Sequence, residues 1–502
     1  MKRLIFFVLS FCLLVSSYAQ INKISKKQMY RDYDQFVSIL EQCNGQLAVR
    51  KEVTGINQLD NIRLSRIEID TISTYNSFIR LLNQQLSSLY DIHAYQTLDI
   101  YPEFDDLKNI DTTNMAPKAP PKVPQTREDM MLLGNPLYIN HEYYLPYIYT
   151  FITIDSDTLI FQYPKIVAYN GIPFTEYVKD NLYKFHFSGT FWDYEKKEYG
   201  SNYSLIPYYG LLTIEENGKE ETINLNNIRG TSLSAAKLKD TDIVQVKGFQ
   251  TDNNVQYFEK DSVLYIYLGK MAGDDSLCTT IKRLGNKPIS KVIIDVRGNV
   301  GGSDQYWFNI LQAITADTLW YSPMLAFKNT RMIRKSHKFE GGDGFLLNMK
   351  PMTFPWLPEE KYLVLQYTQP LVPDSNSLKY KGLIYILQNQ FVYSSGHSLS
   401  SFASTNNQLV SVGLPTGLLA GCGVNPKLFQ LKNSKFTFRM ETAIDVTNAQ
   451  KPLDVYQDIP EILIEIPTQK QLDYFKYQNY ERQSEAFLYR YDFLFNYVLK
   501  LP

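Results

Sequence analysis

The spacing of apolar residues changes along the chain. From Ser25 to about Ser88 apolar residues recur every three or four positions, as at Leu82 and Leu86, which predicts helices. Between about 135 and 248 short alternating runs are broken by turn signals such as ENGKEE, which predicts a small β-rich domain. From about 254 onward, apolar runs alternate with helical stretches. This order predicts an α/β fold, with a crossover core of buried, mostly parallel strands.

These changes define the predicted domains. A proline-rich segment, MAPKAPPKVPQ, can form neither a helix nor a central strand and predicts a linker between two of them. The predicted divisions are a signal peptide at 1–19, an N-terminal helical module at 20–100, the linker at 101–134, the β-rich domain at 135–248, the α/β core at 249–475 and a C-terminal helix at 476–502.

The first twenty residues, MKRLIFFVLSFCLLVSSYAQ, have the layout of a cleaved secretory leader. Lys2 and Arg3 precede an apolar run from Leu4 to Val15, and small residues follow it up to Ala19. The run is shorter than a comfortable membrane span. We therefore expect cleavage after Ala19, a periplasmic or secreted protein and no stable membrane span after cleavage.

Charge and cysteine content exclude several classes of partner. The formal net charge is −1 and no long basic run is present, so nucleic acid is not an expected partner. After the leader only Cys43, Cys278 and Cys422 remain, widely separated and odd in number, which favours buried thiols over a disulfide framework. No cluster has metal-ligand spacing, so we expect neither a metal nor another cofactor. The sequence does not specify an oligomeric state.

The segment FVYSSGHSLSSFAS, residues 391–404, directly follows GLIYILQNQ, an apolar run that predicts a buried strand. A serine on a tight turn between a core strand and a helix is held rigid and exposed, as a nucleophile must be. Ser394 is therefore the first candidate for chemistry. The alternative is a polar turn that caps a helix starting near Ser398.

A second candidate segment is KVIIDVRGNVGGS, residues 291–303, a strand followed by a glycine-rich turn. Glycines allow backbone N–H groups to approach a ligand closely and to form an anion or oxyanion nest. The segment has neither the GxxxxGK[ST] pattern nor GxGxxG spacing, which argues against nucleotide binding. A purely structural turn is the alternative. Asp295 and Arg297 are expected to hold the end of the strand by an ion pair or backbone hydrogen bonds.

Together, these two segments, the following LVSVGLPTG, and IPEILIEIPTQKQLD resemble the core of the C-terminal-processing (tail-specific) serine peptidases. This family includes the tricorn core protease and the interphotoreceptor retinoid-binding protein repeats. KIVAYNGIPFTEYV is similar to the end of the family's PDZ-like domain. The resemblance extends from about 85 to 475. It implies a core of the ClpP/crotonase type, a PDZ-like identity for the β-rich domain and a protein or peptide substrate.

The resemblance also assigns roles. Ser394 matches the nucleophile, and Ser395 is the adjacent alternative. If Ser394 attacks, the amide of Ser395 supplies one oxyanion donor and Gly301 or Gly302 supplies the other. His397 stands where the family has a glutamate. His397 could also act as a base itself, although a side chain one turn away seldom aligns with its own nucleophile.

The general base is expected to be His93. Tail-specific bacterial members use a lysine in Gly-x-Pro-Thr-x-Gly-Lys-Gly, and in GLPTGLLAG that position is Leu419, which disfavours a Ser-Lys dyad. The tricorn-like branch uses a histidine in a motif resembling Asp-Gly-His, and SSLYDIHAYQ supplies Asp91 and His93 after the helical module. A near-neutral imidazole can accept the proton of a serine.

The same branch has a glutamate shortly before its Pro-Asp-Ile segment. The matching position in KPLDVYQDIPEI is Asp454, and Glu441 and Asp445 are rivals for this role. The sequence thus predicts a periplasmic or secreted serine endopeptidase of the tricorn-like branch. Two alternatives stay open: a non-catalytic relative that binds peptides or hydrophobic ligands in the groove, and a surface-assembly protein that captures chain ends by strand addition.

Overall fold

The computed structural model describes most of the chain. The predicted leader and linker, Leu419 and Cys422 lie outside the described residues. The described residues are 24–91, 93–97, 137–145, 147–153, 159–162, 164–181, 190–193, 195–201, 206, 210–225, 253–335, 348–417, 424–476 and 484–502.

Helices and strands are numbered along the whole chain. The helices are α1 Lys26–Cys43, α2 Leu47–Thr54, α3 Gln58–Leu64, α4 Tyr75–Ser87, α5 Phe174–Asn181, α6 Ser276–Arg283, α7 Asp304–Ile314, α8 Ser395–Ala403, α9 Thr468–Lys476, α10 Glu485–Tyr491 and α11 Phe493–Val498. The strands are β1 Tyr95–Gln96, β2 Leu137–Ile139, β3 Glu142–Tyr144, β4 Tyr147–Thr153, β5 Leu159–Gln162, β6 Lys165–Tyr169, β7 Ile172–Pro173, β8 Thr190–Asp193, β9 Glu198–Ser201, β10 Leu211–Glu216, β11 Lys219–Asn224, β12 Asn254–Phe258, β13 Val263–Tyr267, β14 Lys291–Asp295, β15 Leu319–Tyr321, β16 Met324–Lys328, β17 Met349–Phe354, β18 Leu357–Gln366, β19 Gln369–Leu371, β20 Ile384–Gln388, β21 Leu409–Gly413, β22 Val424–Gln430, β23 Thr437–Asp445 and β24 Ile462–Leu463.

The chain forms two compact units, each built from discontinuous segments. The first unit comprises 1–111, 324–366 and 423–453, and the second comprises 112–323, 367–422 and 454–502. Segments that follow one another in sequence therefore alternate between units. The domain boundaries given by the sequence pattern remain predictions.

The first unit packs helices against an antiparallel sheet. The N-terminal helical module is present: Ser25 begins α1 with a reciprocal capping box to Gln28, and Thr74 caps α4. The sheet has the order β1-β23-β16-β18-β17, with β22 also paired to β23. Phe36 of α1 packs edge-on against Phe438 of β23, with ring centroids 5.3 Å apart, and both side chains are fully buried.

The second unit contains the predicted α/β core. Its main sheet has the order β12-β13-β14-β20-β21-β24, in which β12 pairs antiparallel to β13 and the other strands are parallel. Every residue of β13, β14, β20 and β21 is buried. Such continuously apolar strands require cover on both faces of the sheet.

Both faces are covered, because alternate residues of each strand point in opposite directions. Ile384 and Ile386 of β20 pack in the core that includes α6, α7 and α8. Tyr385 and Leu387 of the same strand pack in a second core with α10 and α11. The prediction of a crossover α/β fold is confirmed.

The same unit also contains a β-rich region between 137 and 225. Its main sheet has the order β11-β10-β6-β3-β2, and β7 pairs with β6. The predicted Asn-Gly turn falls at Asn170 and Gly171, both with positive φ, and leads into α5 as expected. Hairpins β4–β5 and β8–β9 belong to the same part of the chain.

Two further expectations concern single features. Cys43 and Cys278 are buried free thiols, as predicted. Among the helices that the structure describes, none is long and apolar enough to cross a membrane.

Candidate active site

Ser394 lies on a strained turn at the carboxyl end of the central strand β20. The backbone of Ser394 has φ 54° and ψ −127°, a conformation that side chains other than glycine rarely adopt. Ser394 is the N-cap of α8, which begins at Ser395 rather than near Ser398 as predicted. A sharp strand-to-helix turn of this kind projects a nucleophile away from the sheet.

The glycine-rich turn that follows β14 lies directly against Ser394. Gly301 has φ +104°, and a Cβ atom at this position would lie 2.8 Å from Ser394 Oγ and 3.1 Å from the amide nitrogen of Ser395. Contacts this short exclude any side chain at position 301. The sequence segments that were singled out separately, 291–303 and 391–404, therefore meet at the serine.

Asn299 holds the glycine turn and the serine turn together. Its carbonyl accepts a hydrogen bond from the Tyr393 amide at 2.9 Å, and its side-chain oxygen accepts one from the Gly301 amide at 2.8 Å. Its side-chain NH₂ donates to the Leu268 carbonyl at 2.7 Å. Asn299 is fully buried, so these bonds are protected from competition with water.

The predicted oxyanion donors differ in their hydrogen bonds. The amide of Gly301 already donates to Asn299. Gly302 forms a bridge with Met271, but that bridge uses the Gly301 carbonyl and the Ser303 amide, not the Gly302 amide. The Ser395 amide lies at the start of α8, where the helix dipole favours negative charge. Gly302 and Ser395 are thus the better placed of the three predicted residues.

Ser395, the alternative nucleophile, is less accessible than Ser394. Its residue is 4% exposed, whereas Ser394 is half-buried. Burial raises the pKa of the neighbouring Asp304, and the Ser395 hydroxyl lowers it. The side chain of Ser395 thus faces the protein interior.

His93 belongs to the first unit and follows α4. Strands β1 and β23 pair antiparallel, with Tyr95 opposite Arg439. Continuing this register by two residues places His93 opposite Glu441, and His93 Nδ1 lies 2.5 Å from Glu441 Oε1. The backbone amide of His93 donates to Asp91 Oδ1 at 2.9 Å. The histidine is thereby fixed on both its main chain and its side chain.

The electrostatics around His93 favour a neutral imidazole. Burial lowers the pKa of His93 below its usual 6.5; the charge of Asp91 opposes this effect and Arg439 adds to it. Burial also raises the pKa of Asp91 to about 7, and the charge of Glu441 contributes. An ionised carboxylate only accepts hydrogen bonds, so contact with Glu441 places the imidazole proton on Nδ1 and the lone pair on Nε2.

Asp91, His93 and Glu441 also have the composition of a metal-ligand set. One donor atom from each lies within 4.8 Å of the others. However, two ligands about 2.0 Å from a tetrahedral ion lie roughly 3.3 Å apart, whereas His93 and Glu441 are 2.5 Å apart. That separation fits a hydrogen bond better than shared coordination.

Of the three carboxylates considered for the site, Glu441 is the one that contacts His93. It is fully buried on β23. Asp445, on the same strand, accepts a hydrogen bond from the Thr447 amide at 2.8 Å. Asp454 lies in a 3₁₀ turn of the second unit, Pro452–Val455, where its charge acts on Asp458. The geometry favours the rival Glu441, and the role of Asp454 stays a prediction.

A comparison with protein families matches residues 262–461 to peptidase family S41. This part of the chain is a peptidase family S41 domain. The match includes the glycine-rich turn, Ser394 and Glu441. Membership of a peptidase family implies proteins or peptides as substrates. No curated protein sequence matches the chain.

Solved structures show the same fold. Mature CPAF complexed with lactacystin has a TM-score of 0.54 and 12% identity, with 94% of this chain and 99% of that chain covered. Mature CPAF alone gives 0.54 and 12%, with 94% and 98% covered. The photosystem II D1 C-terminal processing protease gives 0.38 and 9%, with 91% and 98% covered. At these identities the likeness to CPAF shows the fold of the S41 chain alone.

Within the S41 domain, His397 has a structural setting of its own. Its Nδ1 lies 2.9 Å from Thr416 Oγ1, and its Nε2 lies 3.1 Å from Asp458 Oδ2. Burial, with the charge of Asp454, raises the pKa of Asp458 to about 8. Both ring nitrogens of His397 are therefore engaged, which disfavours His397 as the base. The contacts tie α8 to the segments around 416 and 458.

Sequence reasoning missed three residues of the S41 domain that support the site. Asn299 stands inside the quoted glycine segment, and its position between a strand end and two glycines was the available signal. Asn389 accepts hydrogen bonds from the Gly298 amide at 3.0 Å and the Phe391 amide at 3.2 Å, which links the two turns. Asp458 gave no local signal, because its partner His397 is far away in the sequence.

Proposed function

We propose that this chain is a periplasmic or secreted serine endopeptidase in which Ser394 is the nucleophile and His93 the general base. The observation that carries the proposal is the strained turn at Ser394, held at the start of a helix against a glycine that leaves room beside its Oγ. Strain of 1–3 kcal/mol at such a residue is retained where the surrounding structure serves function. The leader-like N-terminus supports the location outside the cytoplasm.

The proposed reaction is acyl transfer through a covalent intermediate. Ser394 Oγ bonds to the carbonyl carbon of the scissile peptide as its proton passes to His93 Nε2. The amides of Gly302 and Ser395 stabilise the negative charge on the former carbonyl oxygen. The proton then passes to the leaving amine as the C–N bond breaks. Water, deprotonated by His93, hydrolyses the ester and restores Ser394.

Glu441 is the proposed orienting group for His93. Its contact with Nδ1 holds the tautomer in which Nε2 can accept a proton, and it stabilises the imidazolium that forms. The proposal requires the two units to bring His93 Nε2 within hydrogen-bond reach of Ser394 Oγ during catalysis.

A fluorophosphonate is expected to label the purified full-length protein at Ser394. Phosphonates react with an activated serine, so Ser394→Ala should remove the label and His93→Ala should slow labelling by at least about a hundredfold. Mass spectrometry of the digested protein identifies the labelled residue, and time courses give the rates.

Ser395→Ala is the matched control and should keep the label, because its hydroxyl is buried. Glu441→Gln is expected to slow labelling more than Asp454→Asn, and the reverse order would restore Asp454 as the acidic residue. Labelling that is equally fast without the His93 imidazole would remove that residue from the mechanism. A protein that is folded but never labelled would favour the alternative, a relative that only binds peptides.

The acidic limb of the pH profile of kcat/KM is expected to have its midpoint below pH 6.5. The base must be neutral to accept a proton, and burial lowers the pKa of His93, so activity should persist to lower pH than an ordinary imidazole allows. The measurement is kcat/KM from pH 4 to 9 with a peptide that does not titrate. Asp91→Asn should move the midpoint further down, because the charge of Asp91 raises the pKa of His93. A midpoint above pH 7 would contradict the assignment.

A further inference from the structure

A cavity of about 240 Å³ opens at the carboxyl ends of the parallel strands in the second unit. We call it the strand-end pocket. Residues that directly follow β14, β20 and β21 line it, together with residues of β2, α9 and α11. The carboxyl edge of a parallel sheet is where α/β proteins bind ligands. The lining residues used below are Ile139, Gln390, Phe391, Leu414, Ile466 and Lys470.

The size and lining of the strand-end pocket suit one bulky apolar group. Sites for drug-sized molecules usually measure about 300–1,000 Å³, so this pocket is smaller than those. Ile139, Phe391, Leu414 and Ile466 give it apolar walls. A single large side chain fits that description better than a complete cofactor or nucleotide does. Burying such a side chain contributes about 1.5–3 kcal/mol.

One wall offers an acceptor that the protein itself does not use. Gln390 Oε1 is buried and has no hydrogen-bond partner among the residues that the structure describes. A buried acceptor without a partner costs about 1–3 kcal/mol, which a donor on a ligand would recover. The backbone N–H of a peptide is such a donor. Lys470 at the edge keeps its side chain 55% exposed and gives the rim a positive charge.

The strand-end pocket is connected to the proposed nucleophile through the chain itself. Phe391 precedes Ser394 by three residues, which span at most about 11 Å when extended. Asn389 Oδ1 accepts from the amides of both Phe391 and Gly298, and all three residues line the pocket. A group seated in the pocket therefore contacts the same turns that position Ser394 and the glycine amides.

We propose that the strand-end pocket binds a large apolar side chain of the substrate, aromatic or long aliphatic, within three residues of the scissile bond. A backbone N–H of the substrate donates to Gln390 Oε1. The pocket thereby sets the preference of the peptidase for substrate sequence. This inference rests on the proposed function of Ser394.

The test uses full-length protein and internally quenched peptides in which phenylalanine or alanine occupies each of three positions on either side of the cleaved bond. At one position the wild type should prefer phenylalanine by at least about tenfold in kcat/KM, the usual worth of a filled apolar pocket. Ile466→Trp fills the pocket and should reduce that preference to less than about twofold. Cleavage of the alanine peptide should stay near the wild-type rate.

Val372→Trp is the matched control, since Val372 is 55% exposed and outside the pocket lining. If Ile466→Trp does not fold, Leu414→Phe replaces it with the same expectation. Gln390→Leu should raise KM for the phenylalanine peptide with little change in kcat. No preference at any position, or a preference that survives both filling variants, would overturn the inference.

The two proposals fail in different ways. If the proposed function is wrong, the small fluorophosphonate does not label Ser394 in the wild type. If only the pocket assignment is wrong, that label appears at the normal rate in wild type and filling variants alike, and the phenylalanine preference is absent or unaffected by them.

Discussion

Gly301→Ala is expected to reduce kcat/KM by about a thousandfold while the protein stays folded. The added methyl group would lie 2.8 Å from Ser394 Oγ and 3.1 Å from the Ser395 nitrogen, so the nucleophile, the amide or the glycine turn must move. Loss of a single oxyanion donor costs about 10²–10³ in kcat. Displacing the nucleophile as well places the expected loss at the upper end or beyond. Steady-state kinetics and the rate of phosphonate labelling both measure it.

Gly298→Ala is the matched control for this variant. Gly298 is in the same turn and also has positive φ, +76°, but a Cβ atom there meets no other atom within 4 Å. Both substitutions carry a similar backbone strain of about 1–2 kcal/mol. Only the one at 301 adds a collision with the serine. Comparable activity in the two variants would show that the close approach of Gly301 to Ser394 is not needed for catalysis.

The parts of the fold and site that sequence could predict are local. The strand GLIYILQNQ, the serine turn and the helix after it are read from consecutive residues, as is the glycine turn after β14. Their meeting follows from parallel strands whose carboxyl ends share an edge of the sheet. The ion pair expected of Asp295 and Arg297 is likewise formed within three residues and is present.

The parts that sequence could not settle depend on pairing between distant segments. The contact of His93 with Glu441 is fixed by the register of β1 on β23, across 348 residues. A shift of that register by one residue would turn a different side chain toward the histidine. Sequence could name Glu441, Asp445 and Asp454 as candidates but could not choose among them. His397 is a similar case, because Asp458 and Thr416 explain the departure from the family glutamate only once they are placed beside it.

Arg297 occupies a buried ion cluster whose integrity both halves of the second unit need. Its guanidinium contacts Asp295 at the end of β14 and Asp492 at the start of α11. The two carboxylate side chains are at most 1% exposed. Asp492 also caps α11 by accepting from the Phe495 amide at 3.0 Å. Arg297 stacks over the ring of Tyr474 in α9, 5.0 Å from its centroid. One side chain thus joins the strand end to two C-terminal helices.

Arg297→Met is expected to lower the free energy of unfolding by about 3–5 kcal/mol, because it leaves two buried carboxylates without their cation. Chemical denaturation followed by circular dichroism measures the change. Arg297→Lys should recover only part of it, since a single ammonium cannot reproduce the planar fork that reaches both carboxylates. Lys287→Met, which removes an exposed ion pair with Glu259, is the control and should leave stability almost unchanged. Full stability in Arg297→Met would mean that Asp295 and Asp492 are protonated in the folded protein, and the variant should then lose stability as the pH rises, because folding would hold protons that the unfolded chain releases.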